Sequence, residues 1–142
     1  MLVGQLALVV AAVFAGAAIY INIAEHPARM RLEDSPLLTQ WKPSYKRGFA
    51  MQASLAVVGC LLGLGAWYLT RDWRWIFGAV VLVSNWPFTI VAIMPVNNRL
   101  MAMAVESPSD EMRGLMDRWG RLHAVRSLLG VIATAIFFWA MN

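Results

Sequence analysis

Four apolar runs leave this 142-residue chain few ways to fold. They are Leu2–Ala24, Phe49–Leu69, Trp75–Val96 and Leu122–Met141, and each approaches or exceeds the roughly 20 residues a helix needs to cross a bilayer. A chain that is 60% hydrophobic and only 14% charged is too apolar for a soluble domain of this size. Little sequence remains between the runs for a second domain. The expected fold is an all-α membrane protein: a single four-helix transmembrane domain over residues 1–142, with an amphipathic extension leading into helix four.

The basic residues set topology. Arg29, Arg31, Lys42, Lys46 and Arg47 fall in or beside the first loop, and Arg99, Arg113, Arg118, Arg121 and Arg126 in the third loop and its helix edge. The second loop has only Arg71 and Arg74. Loops one and three are therefore expected in the cytoplasm and both termini outside. This distribution explains the pI near 9.8 without nucleic acid as a partner. The lone Cys60 lies in an apolar run and permits no intramolecular disulfide.

The stretch Trp119–Asn142 carries the most chemistry. His123 and Arg126, three residues apart, project from one helix face. About 15 residues follow Arg126, roughly 22 Å of helix against a hydrocarbon core about 30 Å thick. Arg126 is thus expected inside the apolar slab, where a cation needs a partner or a polar cavity. Glu25 is the nearest acidic candidate and is expected to pair with Arg126 or Arg99.

The rest of the chain is punctuated by prolines. Pro27 is expected to end or kink helix one, and Ala28 to Arg47, with Pro36 and Pro43, reads as a 20-residue polar loop. Trp41 and Tyr45 read as headgroup-level anchors, and Trp67, Tyr68, Trp73 and Trp75 as an aromatic belt at the second loop. Gly59 and Gly63 form a GxxxG that suits packing within the bundle or a homo-oligomer. Pro87 and Pro95 are expected to kink helix three and leave carbonyls that need internal partners. Asn97 and Asn98 read as its C-terminal cap. Ser109 reads as the N-cap of a helix of about 33 residues in which Met112, Leu115, Met116 and Trp119 repeat at helical spacing.

Alternating helix directions gather Glu25 and His26, Tyr45 and Gln52, Asn97 and Asn98, and His123 and Arg126 at one end of the bundle. Polar groups at one depth read as a pocket. Glu25, His26 and His123 also offer a carboxylate and two imidazoles, the donors of a metal triad. Adjacent helical residues point about 100° apart, which makes joint ligation by Glu25 and His26 awkward.

Several of these motifs resemble one family. Trp86-Pro87, Thr89 and Met94-Pro95-Val96-Asn97-Asn98-Arg99-Leu100, followed by Trp119 and His123-Ala124-Val125-Arg126, are similar to the pattern of small four-helix membrane proteins whose named members are anthrone oxygenases. Trp41, Tyr45 and Arg47-Gly48 fit the same pattern. The resemblance covers nearly the whole chain. It implies oxidation of a tricyclic anthrone to an anthraquinone by dioxygen, with no cofactor. On that reading His123 is the general base, Arg126 stabilises the anion, Asn97 or Asn98 holds a carbonyl or phenol oxygen, and Glu25 orients His123 or holds Arg126. Trp119, Trp86 and Tyr45 line a flat apolar slot, and Gln52, Trp41 and His26 join them as substrate-binding side chains. The implied partners are membrane lipid, a small apolar aromatic substrate and dioxygen. Two other functions fit the residues: a non-enzymatic lipid- or quinone-binding membrane protein or accessory subunit, and a metal-dependent membrane oxidoreductase.

Overall fold

Short connections and long apolar helices dictate an antiparallel bundle. The computed structural model describes residues 1–142 and contains four such helices: α1 (Leu2–Arg29), α2 (Asp34–Thr70), α3 (Trp73–Ala102) and α4 (Met112–Met141), each long and apolar enough to cross a membrane. Helix α1 packs against α2 and α4, and α3 packs against the same two, so the four form a ring. Large apolar side chains such as Leu6, Val13, Leu61, Val91 and Phe138 point outward, as a lipid-facing surface requires.

Two apolar cores fill the ring. At the end with the tight α2–α3 turn, the core is built on alanines with Phe14, Trp75, Leu82 and Phe137. At the other end, Leu37, Leu38, Trp41, Leu100, Met112, Met116 and Trp119 make a bulkier one. The buried polar residues Gln52, Asn85, Thr89, His123, Arg126 and Ser127 fall between the two cores in chain order on α2, α3 and α4. A polar layer thus separates two dry ends.

The expected first loop is mostly helix. Only residues 30–33 connect α1 to α2, and Asp34 to Arg47 forms the first third of α2. Pro36 sits in the first turn, where a missing N–H costs nothing. Pro43 lies inside the helix, and the full burial of Leu37, Leu38 and Trp41 on one face holds the segment in place. Trp41 is therefore a core residue and not a headgroup anchor. Trp75 is likewise buried, against Phe137, and leaves the expected aromatic belt.

Pro27 and Pro95 do not end their helices. Each follows a widened π-helical turn: Ile21–Glu25 before His26-Pro27, and Thr89–Ile93 before Met94-Pro95. The His26 amide reaches back to the Ile21 carbonyl and that of Met94 to the Thr89 carbonyl, five residues each. The wider turns make room for the proline rings, which clash with the carbonyl four residues back in a regular helix. Because α3 runs on to Ala102, Asn97 and Asn98 lie within it and are not its cap. The kink at Pro87 has internal partners: Ser84 Oγ donates to the Val81 carbonyl (2.6 Å) and Asn85 Nδ2 to that of Leu82 (3.0 Å).

Helix α4 starts at Met112, not at Ser109, whose carbonyl accepts from the Met112 amide at 3.0 Å. Its amphipathic first part buries Met112, Leu115, Met116 and Trp119 as the spacing predicts. Arg113 fastens it to the α1–α2 connection through Asp34 (2.6 Å) and the Met30 carbonyl (3.1 Å). The GxxxG packs inside the bundle: a Cβ on Gly59 would strike Leu82, and one on Gly63 would come within 2.9 Å of Phe137. That close packing removes the dimer face this motif suggested.

Candidate active site

A cavity opens in the polar layer, about 380 Å³ of space including its open mouth. His123, Arg126, Asn97, Trp119, Tyr45 and Gln52 line it, as the sequence pattern suggested, together with Arg29, Ser44, Phe49 and Ile93.

His123 is oriented by a neighbour from α1. Asn22 Nδ2 donates to the Gly120 carbonyl at 3.0 Å, so its other amide atom is the oxygen. That Oδ1 lies 2.9 Å from His123 Nδ1 and also accepts from Ser127 Oγ at 2.6 Å. An oxygen cannot donate, so His123 Nδ1 carries the hydrogen. Nε2 is left with its lone pair, the form a general base needs. Trp119 stacks on the same ring at 5.0 Å between centroids.

Arg126 is only 7% exposed and makes no ion pair. Its guanidinium lies 5.8 Å from the Phe14 ring centroid, and its Nε has no hydrogen-bond partner. The expected partner Glu25 is engaged elsewhere: its Oε1 meets Arg29 and Ser44, and Gln40 Nε2 at 3.1 Å. Arg99, the other expected partner, pairs with Glu111. A buried cation without a counter-ion is costly to keep. Asn97 and Gln52, each 1% exposed, form no hydrogen bond through either amide atom.

The remaining expected residues stand apart. Asn98 is exposed, about 100° around the helix from Asn97. Trp41 is stacked on Tyr45 (4.9 Å, nearly parallel) and supports the cavity from behind. His26 packs on Trp119 and fills the space a Cβ on Gly120 would take, 2.5 Å from His26 Nε2. Trp86 is 42% exposed and lies outside the His123 cavity. Glu25, His26 and His123 do not converge as metal ligands, and no other such trio of donors forms.

Several contributors escaped the sequence reading, among them the wall residues Ser44, Phe49 and Ile93. Arg29, counted as a topology-setting loop charge, is buried at the cavity wall. Its signal was the i, i+4 spacing from Glu25. Asn22 was visible as an amide inside an apolar span, and Ser127 as the residue one turn beyond His123.

Fold and site together define an all-α bundle of four membrane-length helices, holding an oriented imidazole beside an unpaired buried arginine. The sequence pattern of the anthrone oxygenase family matches residues 41–136, and the chain belongs to that family. It is 36% identical over 110 residues to the anthrone oxygenase tpcL of Aspergillus fumigatus, covering 72% of this chain and 68% of the relative. It is 31% identical over 146 residues to the anthrone oxygenase dmxR16 of a Cryptosporiopsis species, covering 94% of this chain and 85% of the relative. An anthrone oxygenase of Claviceps purpurea is 26% identical over 118 residues, covering 75% and 68%. No solved structure matches the chain.

Proposed function

We propose that this protein is a membrane-embedded, cofactor-independent oxygenase that converts the central methylene of an anthrone-type phenol to a carbonyl with dioxygen. The observation that carries the reading is Arg126, buried without a counter-ion beside a histidine whose Nε2 lone pair is kept free by Asn22. His123 Nε2 removes a methylene proton and leaves an electron-rich enolate across the three rings. Arg126 supplies the missing counter-charge. The enolate gives one electron to dioxygen, and the resulting superoxide and carbon radical combine into a peroxide at the former methylene. His123 returns its proton to the peroxide and then takes the remaining hydrogen on that carbon as the O–O bond breaks, which gives the carbonyl and hydroxide. The departing hydroxide takes the proton held on His123. One anthrone and one dioxygen thus yield one anthraquinone and one water. Asn97 holds a ring oxygen, Tyr45 and Trp119 flank the rings, and the charge pattern orients the end of the bundle bearing Arg31 and Arg113 toward the cytoplasm.

The test is oxygen uptake by detergent-purified protein given anthrone, with anthraquinone followed by absorbance and a chelator present in a parallel sample. One anthraquinone per dioxygen, unchanged by chelator and reduced about 100-fold or more in Arg126→Ala and His123→Ala, is expected. Full turnover by a folded Arg126→Ala protein would overturn the scheme. Binding without turnover would favour the quinone-binding reading, and loss of activity on chelation the metal-dependent one.

A further inference from the structure

A second cavity adjoins the first. It has a volume of about 340 Å³ including its mouth and shares Phe49, Gln52 and Arg126 with the His123 cavity. Its other walls are Ala53, Ala56 and Ile90, with Asn85 and Thr89 at the kink of α3. Beyond it, a groove on the outer surface between α2 and α3 shares Ala53 and Trp86 with the chamber. Three spaces thus run in series from the lipid-facing surface to His123.

Two features make the chamber more than a packing fault. Gln52 and Asn85 are each 1% exposed, yet both amide atoms of Gln52 and the Oδ1 of Asn85 lack partners. The outer mouth is held by a single hydrogen bond, from the Trp86 indole N–H to the Ala53 carbonyl at 3.3 Å, in an exposed position. Ile90 beside it is also exposed. Small flat walls, a few buried polar atoms and a lightly latched opening to lipid suit an apolar ligand that dissolves in the bilayer.

We propose that this chamber is the rear half of the substrate slot, reached sideways from the membrane between α2 and α3, and that Gln52 and Asn85 bind an oxygen substituent on the outer ring of a flat polycyclic phenol. The substrate class rests on the oxygenase reading above. Asn85 Nδ2 already donates to the Leu82 carbonyl, and its oxygen, which has no partner, accepts from a phenolic hydroxyl. Gln52 can both donate and accept. Trp86 is the latch, and Arg126 stands where the two halves meet.

Binding of two products that cannot turn over tests this: anthraquinone and its 1,8-dihydroxy derivative, followed by quenching of tryptophan fluorescence. The wild-type protein is expected to prefer the dihydroxy compound by about tenfold or more, as a buried hydrogen bond would give. Gln52→Leu, close in volume, should abolish most of that preference, bringing the affinity for the dihydroxy compound down toward that for anthraquinone. Ala53→Trp fills the chamber and should weaken both ligands by about tenfold or more, within the range for blocking an apolar subsite. Val131→Trp, on the lipid face of α4, should alter neither. A preference that survives Gln52→Leu, or unchanged binding in folded Ala53→Trp, would overturn the proposal. Binding needs no dioxygen: turnover with insensitive binding removes the chamber alone, and the expected binding without turnover removes the oxygenase alone.

Discussion

Removing Asn22 tests whether His123 is a positioned base or merely a buried ring. In Asn22→Ala three hydrogen bonds disappear: to the Gly120 carbonyl, to His123 Nδ1 and to Ser127 Oγ. Ser127 keeps a long alternative to the His123 carbonyl at 3.5 Å and the Gly120 carbonyl lies within the helical ladder of α4, so His123 Nδ1 is the group left without a partner. At about 1–3 kcal/mol for a buried orphan, the expected loss of stability is about 1–3 kcal/mol. The catalytic effect is separate. The Asn22 oxygen favours the Nδ1–H tautomer by one hydrogen bond, about 1–2 kcal/mol, so its loss lowers the ratio of the competent tautomer to the other roughly 5- to 30-fold. Added misorientation of the ring puts the expected fall in kcat at about 10- to 100-fold. KM should change little, because Asn22 does not line the cavity. The assay is the initial rate of anthraquinone formation, below the unfolding temperature established by circular dichroism. A folded Asn22→Ala protein with wild-type kcat would refute the argument that this amide sets the base.

Arg126→Met should lower turnover about 100- to 1,000-fold yet leave the melting temperature unchanged or raised, since it replaces an unpaired buried charge with a side chain that packs. A marked fall in melting temperature would mean that Arg126 has a structural partner. Gly120→Ala drives a methyl group into His26 and should destabilise by about 1–3 kcal/mol. His26→Ala in the same chain should recover part of that loss in a double-mutant thermal-melt cycle. Asp72 caps the segment of α3 that starts at Trp73, accepting from the Arg74 amide at 3.0 Å and side chain at 2.8 Å. Those bonds hold its carboxyl below the usual range. Its stabilising effect is therefore complete above the ordinary carboxylate pKa and fades as pH falls through the lower folded value. Asp72→Ala should cost about 0.5–1 kcal/mol near neutrality, and the gap in melting temperature should close in acid.

The four helices were legible because length and apolarity decide them before any packing is known. The first loop was misread for a definable reason. Asp34 to Arg47 is polar, with two prolines, and only Leu37, Leu38 and Trp41 show its buried stripe. That stripe stabilises a helix only through the core it meets on α3 and α4, a tertiary contact that local propensity does not contain. His123, Arg126 and Asn97 stood out because polar groups in an apolar span are expensive. Their partners did not. Whether Glu25 meets Arg126 or Arg29 depends on helix rotation at the Ile21–Glu25 turn, which a regular helical projection leaves out. Asn22 was passed over for the same reason.

Those two widened turns have a consequence for how chains of this kind can change length. A π turn within an α-helix is geometrically one extra residue absorbed as a bulge, so excising one residue from Ile21–Glu25 or Thr89–Ile93 would restore a regular helix and leave both flanks packed. Closing the bulge, however, returns the carbonyl four residues back to the path of the Pro27 or Pro95 ring. The surplus residue and the proline are therefore a linked pair. A sequence that keeps one should keep the other, and a single-residue gap at either place should be accompanied by a different residue where the proline stood.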